Sequence, residues 1–212
     1  LRSGAWEEMT ALARLLGAPV ATSISGKGSV AETDPYALGV IGSNGGLSYR
    51  HDMLRESDVI FYVGCRQGSV TTEKWTLPAN GEKVLVQLDV APARVGRAYT
   101  TAVGLVGDAK LGLSAVLDGV DRLLSGRPAG RVDPAEIAAR RETFMASVAE
   151  FSSDETPIRP ERFIAELIAV APETTVICAD PGTPCPYLSA YYRLPRAGRW
   201  FATPRAHGAL GY

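Results

Sequence analysis

Two short apolar runs constrain this chain more than any other feature. They are Val59-Ile60-Phe61-Tyr62-Val63, inside Asp58–Gly64, and Val84-Leu85-Val86-Gln87-Leu88, inside Lys83–Asp89. Neither alternates polar with apolar residues, as a strand with one wet face would. A continuous run of this length is how a strand covered on both faces reads. Further strands are predicted at Pro19-Val20-Ala21-Thr22 and at Ala102–Val106. Between the strands lie helical periods. Trp6, Met9, Leu12 and Leu16 share one face, with Ser3 as N-cap and Gly17 just past the end. Residues 48–56 read as a short helix, and Asp108 opens a longer one with Leu113, Val116, Leu117, Val120 and Leu124 on one stripe. Strands alternating with helices imply a parallel sheet with helices on both faces.

The expected fold class is therefore α/β: a Rossmann-like parallel-sheet domain followed by the beginning of a second α/β unit. The first domain is placed at residues 1–124, with its leading strand missing because a helix opens the chain. Ser25-Gly26-Lys27-Gly28 and the stretch through Gly39, Gly42, Gly45 and Gly46 read as loop. Residues 125–158 form a linker and a helix. The linker is Ser125-Gly126-Arg127-Pro128-Ala129-Gly130-Arg131, and Asp133-Pro134 supplies cap and first-turn proline for a helix with Ile137, Phe144, Val148 and Phe151 on one side. Residues 159–212 begin the second unit: a helix opened at Arg159-Pro160, with Phe163, Ile164, Leu167 and Ile168, then a strand at Thr175–Ala179.

Composition excludes more than it assigns. Lys and Arg number 22 against 23 Asp and Glu, so no net field favours nucleic acid or an anionic membrane. No apolar run is long enough to cross a bilayer. The cysteines, Cys65, Cys178 and Cys185, contain no CxxC pair, which argues against structural zinc or a disulfide framework. Cys65 and Cys178 sit among apolar residues and read as buried thiols, and a reducing cytoplasmic setting is the default expectation. His51 and His207 are the only histidines, and neither completes a hydrolase triad at readable spacing. His51 reads as a surface residue and His207 as structural. Lys27 between glycines lacks Walker spacing.

Taken in order, several segments resemble the thiamine diphosphate–dependent enzymes of the acetolactate synthase and 2-oxo acid decarboxylase group. These are Leu15–Thr22 followed by Gly26-Lys27-Gly28, Tyr36–Gly42, Asp58–Arg66, Val86–Asp89, Gly107-Asp108-Ala109-Lys110, Ala179-Asp180-Pro181-Gly182 and His207–Tyr212. Each motif is weak alone; their order and spacing are fairly specific. The resemblance implies a central domain followed by the start of a thiamine diphosphate–binding domain.

It also implies site residues. Leu210 stands where the family places the bulky side chain that holds the cofactor bent, and the Gly208 carbonyl would accept from its aminopyrimidine. Without the resemblance, residues 208–211 are a tight turn before a helix. Asp180, Gly182 and Thr183 lie in a loop after a strand, where a helix N-terminus can meet a diphosphate. Asp180 and Thr183 can equally be caps of the next helix. Pro184 departs from the family, since proline has neither side-chain donor nor backbone N–H. Arg66 resembles a nucleotide-contacting arginine, facing Gly42-Ser43-Asn44-Gly45, and is otherwise a solvated side chain; FAD is not favoured. No residue is assigned as catalytic or as a metal ligand. The resemblance puts the catalytic glutamate before Leu1 and the magnesium site beyond Tyr212, so the stretch alone is expected to be inactive.

Three functions follow as alternatives: a piece of a lyase or transferase acting on a 2-oxo acid, in an enzyme at least dimeric; a nucleotide-binding module for FAD or ADP; or a structural subunit of the same fold.

Overall fold

A computed structural model describes residues 1–45 and 49–203. Helix α1 (Trp6–Leu16) ends at Gly17, whose φ of 62° is left-handed and costs glycine nothing. Its start differs from expectation: the N-cap position is Ala5, and no side chain caps it, so Ser3 plays no such role. Strand β1 (Val20–Thr22) follows. It pairs in parallel with β2 (Ala37–Val40), a strand inside the stretch expected to be loop. Its glycine, Gly39, and its short length hid it, but all four of its residues are buried.

Helix α2 (Tyr49–Glu56) leads into β3 (Val59–Val63), β4 (Val84–Asp89) and β5 (Val103–Val106), which form a parallel three-stranded sheet in that order. Leu88, Phe61, Val63 and Leu105 pack against α1 and against α3 (Ala109–Leu124) through Leu12, Leu113, Val116, Leu117 and Val120. Asp108 caps α3 as expected, accepting from the N–H groups of Lys110 and Leu111. The other face is filled differently. Tyr62, Leu85 and Tyr99 form its core, supplied by the irregular segment after β4 and not by a helix. The strand starts are open, with Val59 54%, Val84 52% and Val103 48% exposed, so cover on both faces is incomplete at that end.

The linker is tied down. Ala129 N–H donates to the Leu15 carbonyl at 2.8 Å and Val132 N–H to Gly17 at 3.0 Å. Helix α4 (Pro134–Ala149), capped by Asp133, lays Ile137 and Phe144 against Leu38, Tyr49 and Met53; Phe151 beyond it is exposed. Helix α5 (Pro160–Val170), strand β6 (Ile177–Cys178), helix α6 (Pro184–Tyr191) and strand β7 (Phe201–Ala202) complete the described chain, with β6 and β7 parallel. Ile164, Ile177, Leu188, Leu194 and Phe201 form their core. Phe163 and Ile168 face outward, so only part of the apolar face read on α5 is buried. Cys178 is exposed and Cys185 buried, the reverse of what neighbouring apolar residues suggested for Cys178. A two-residue strand at a sheet's edge leaves alternate side chains outside.

Candidate functional site

The loop after β6 holds Asp180, Gly182 and Thr183. Asp180 Oδ1 accepts from Gly182 N–H at 2.8 Å, closing a tight turn. Thr183 occupies the N-cap position of α6, yet its hydroxyl makes no cap hydrogen bond and the side chain is exposed. The turn and the helix start are therefore built without it, and the residue is exposed in the loop that follows the carboxyl end of β6. The helix end itself is a poor anion cradle. Pro184 and Pro186 have no N–H, and the Cys185 N–H is taken by the Gly182 carbonyl at 3.2 Å. Any diphosphate contact here depends on the Thr183 hydroxyl and on close approach to Gly182. Gly208, Leu210 and His207 lie outside the described residues.

Arg66 lies in a different place, past the carboxyl ends of β3 and β4. There it lines an open cleft of about 1010 Å³, counting its mouth, together with Gln67, Gly68, Trp75, Arg94 and Arg97. Of these residues the sequence singled out Arg66 alone, because Arg94 and Arg97 reach the cleft only through the fold of the segment after β4. Gln87 holds that segment: its Oε1 accepts from Gly96 N–H at 2.9 Å and its Nε2 donates to the Arg94 carbonyl at 3.1 Å. Trp75 Nε1 donates to the Gln67 carbonyl at 3.0 Å, setting the indole at the rim. Glu73, Lys74 and Trp75 all have left-handed backbone, with φ of 46°, 57° and 63°. Each such residue costs roughly 1–2 kcal/mol, so the segment carries stored strain beside the cleft. Gln67 Nε2 and Asp89 Oδ2 are buried without hydrogen-bond partners among the described residues. Three guanidinium groups, an aromatic edge and a buried amide donor at strand carboxyl ends suit a phosphorylated aromatic ligand.

The segment Gly42–Gly45 is fixed by packing. Ser43 N–H donates to the Val70 carbonyl at 3.0 Å, and a Cβ at Gly42, whose φ is +82°, would lie 2.1 Å from that same oxygen. His51 is buried at 2% exposure, not at the surface as its polar helix suggested. Its Nε2 accepts from Gly42 N–H at 3.1 Å. Burial first, and then the Arg55 and Arg50 charges, hold its pKa below the ordinary value despite the opposing pull of Glu73 and Asp52.

No group of three or more His, Cys, Asp or Glu able to hold a metal ion occurs among the described residues, and no described helix is long and apolar enough to cross a membrane. Residues 1–116 match the family described as "Thiamine pyrophosphate enzyme, central domain". The whole chain is 31% identical to a "Probable acetolactate synthase large subunit" of Methanococcus aeolicus, of which it covers 36%. It is 29% identical, over 98% of its length, to a "Probable 2-ketoarginine decarboxylase" of Pseudomonas aeruginosa, covering 35% of that protein. Against the acetolactate synthase isozyme 3 large subunit of Escherichia coli it is 24% identical over its full length and covers 36%. The chain thus spans about a third of the length of the curated relatives it matches.

Proposed function

Because the chain belongs to the thiamine pyrophosphate (thiamine diphosphate) enzymes, whose central domain it carries over residues 1–116, we propose that it is the middle of an enzyme acting on a 2-oxo acid. The reaction is loss of CO₂ from the acid, with the remaining acyl carbon passing to a proton or to an acceptor. One observation carries this: relatives named as acetolactate synthases and as a 2-oxo acid decarboxylase align along essentially the whole chain, across the linker as well as the central domain. When bound, thiamine diphosphate would supply a thiazolium ring into which the electron pair left by CO₂ can delocalise.

The chain's own part is binding and orientation. Thr183 would donate its free hydroxyl to a diphosphate oxygen, with Gly182 allowing close approach. Gly208 would accept from the aminopyrimidine and Leu210 would enforce the bend. Magnesium bound beyond Tyr212, assembly into at least a dimer, and a cytoplasmic setting belong to the same reading. The test is calorimetric titration of the full-length protein with thiamine diphosphate and magnesium. A saturable heat is expected; none at high cofactor concentration overturns the proposal.

A second reading is favoured by the cleft at Arg66, Arg94 and Arg97: a nucleotide such as ADP or FAD bound there in the central domain. Titration with each nucleotide, without thiamine diphosphate, tests it. Binding abolished by Arg94→Ala supports it, and no binding removes it.

A further inference from the structure

The cleft past β3 and β4 offers a ligand positive charge and hydrogen-bond donors, and no carboxylate. None of its lining residues, which join Arg66, Arg94 and Arg97 to Gln67, Gly68, Trp75 and Ala98, is Asp or Glu. The three arginines are exposed, and among the described residues none of their guanidinium groups forms an ion pair or donates a hydrogen bond. Gln67 differs from them: it is 1% exposed, and its Nε2 has no partner among the described residues. A buried donor left without a partner is costly, and a ligand oxygen brought beside it would relieve that cost.

The place of the charges narrows the ligand further. Strand β4 pairs directly with β3 in the parallel sheet. In sheets of this kind a dinucleotide lays its diphosphate past one strand and its adenosine ribose past the neighbour. An Asp or Glu there accepts from a free 2′-hydroxyl, whereas an arginine suits a 2′-phosphate. Asp89 ends β4, but it is 2% exposed, does not line the cleft, and its Oδ1 accepts from Ala91 N–H at 2.9 Å. What the wall presents past β4 is Arg94 and Arg97, on the segment that Gln87 pins at Arg94 and Gly96. A free hydroxyl finds no acidic acceptor on this wall, and a phosphate in its place meets donors. A bridging diphosphate carries one charge on each phosphate, which Arg66 and Arg94 can match, leaving Arg97 over.

Resting on the nucleotide reading of this cleft, we infer that it selects a dinucleotide whose adenosine ribose carries a 2′-phosphate, with Arg97 reading that phosphate. Guanidinium suits the task because its planar fork meets two phosphate oxygens at once.

Calorimetric titration of the full-length protein at fixed ionic strength tests this with two matched pairs. NADP⁺ differs from NAD⁺ only by the 2′-phosphate, and should bind about tenfold tighter or more. Adenosine 2′,5′-bisphosphate and its 3′,5′ isomer carry equal charge, so the expected preference for the 2′ isomer reports position and not charge alone. Arg97→Gln should bring NADP⁺ and NAD⁺ to within about twofold of each other, with Tm confirming that the variant is folded. If ADP or FAD binds while NADP⁺ and NAD⁺ bind alike, the inference falls and the nucleotide reading stands. Isomers bound equally, or a preference for NADP⁺ that survives in Arg97→Gln, also overturn it. Binding of no nucleotide at all removes both.

Discussion

Lys27 and Glu32 form an ion pair sealed from solvent, with 1% and 4% of their side chains exposed. The pair does more than join two turns of one loop. Lys27 also donates to the Ser189 carbonyl at 3.2 Å and lies 5.6 Å from the centre of the Phe201 ring, while Glu32 receives the Leu194 N–H. It therefore ties the loop after β1 to the α6–β7 unit. Removing one partner strands the other as a buried charge. Glu32→Gln or Lys27→Met should each cost about 3–5 kcal/mol in urea denaturation, and the double replacement Lys27→Met with Glu32→Leu should recover much of it.

Acid should weaken the fold through His51. Its folded pKa lies below the ordinary 6.5, so the unfolded chain binds a proton that the folded chain refuses. Stability is then fully present above about pH 6.5 and is lost as pH falls toward the lower folded value. The cause is specific: Nε2 must stay unprotonated to accept from Gly42 N–H. Urea midpoints measured between pH 7 and pH 5 should fall, and more shallowly in His51→Gln.

Gly42→Ala should destabilise by more than about 1 kcal/mol, because φ is +82° and the added methyl meets the Val70 carbonyl at 2.1 Å. Gly64→Ala makes a control for the backbone term alone: its φ is +57° but nothing lies within 4 Å of the added carbon. The difference between the two variants' urea midpoints measures the steric part.

Thiol reactivity should separate the cysteines. Cys178 is exposed, Cys185 is buried, and burial raises the Cys65 thiol above its ordinary pKa. A disulfide reagent at pH 8 should label one thiol quickly in the native protein and the other two only slowly or after unfolding. Loss of the fast phase in Cys178→Ser checks the assignment.

Thr183→Val should weaken thiamine diphosphate binding about tenfold without lowering Tm, since its hydroxyl serves no cap in α6. A fall in Tm with unchanged affinity would return Thr183 to a purely structural role.

Much of the framework was legible from the residues alone. Helices α1, α3, α4 and α5 and strands β1, β3, β4, β5 and β6 stand where period, caps and apolar runs placed them, because each signal is local to its element. The order of weak motifs also carried the family. What local signals could not carry was direction and company. His51 and Arg50 sit on a helix that reads as polar, yet both are buried, because backbone groups of other parts of the fold satisfy them: Gly42 N–H for His51, and the carbonyls of Leu38 in β2 and Ala190 in α6 for Arg50. Strand β2 was hidden by its glycine and became visible only through its partner β1. Arg94 and Arg97 joined Arg66 across separations no spacing rule spans. Sequence by itself determined the α/β order, the place of most helices and the kinship. Tertiary structure alone decided which charges are buried and which cations share a cavity, because burial is a property of what the rest of the chain packs around a residue.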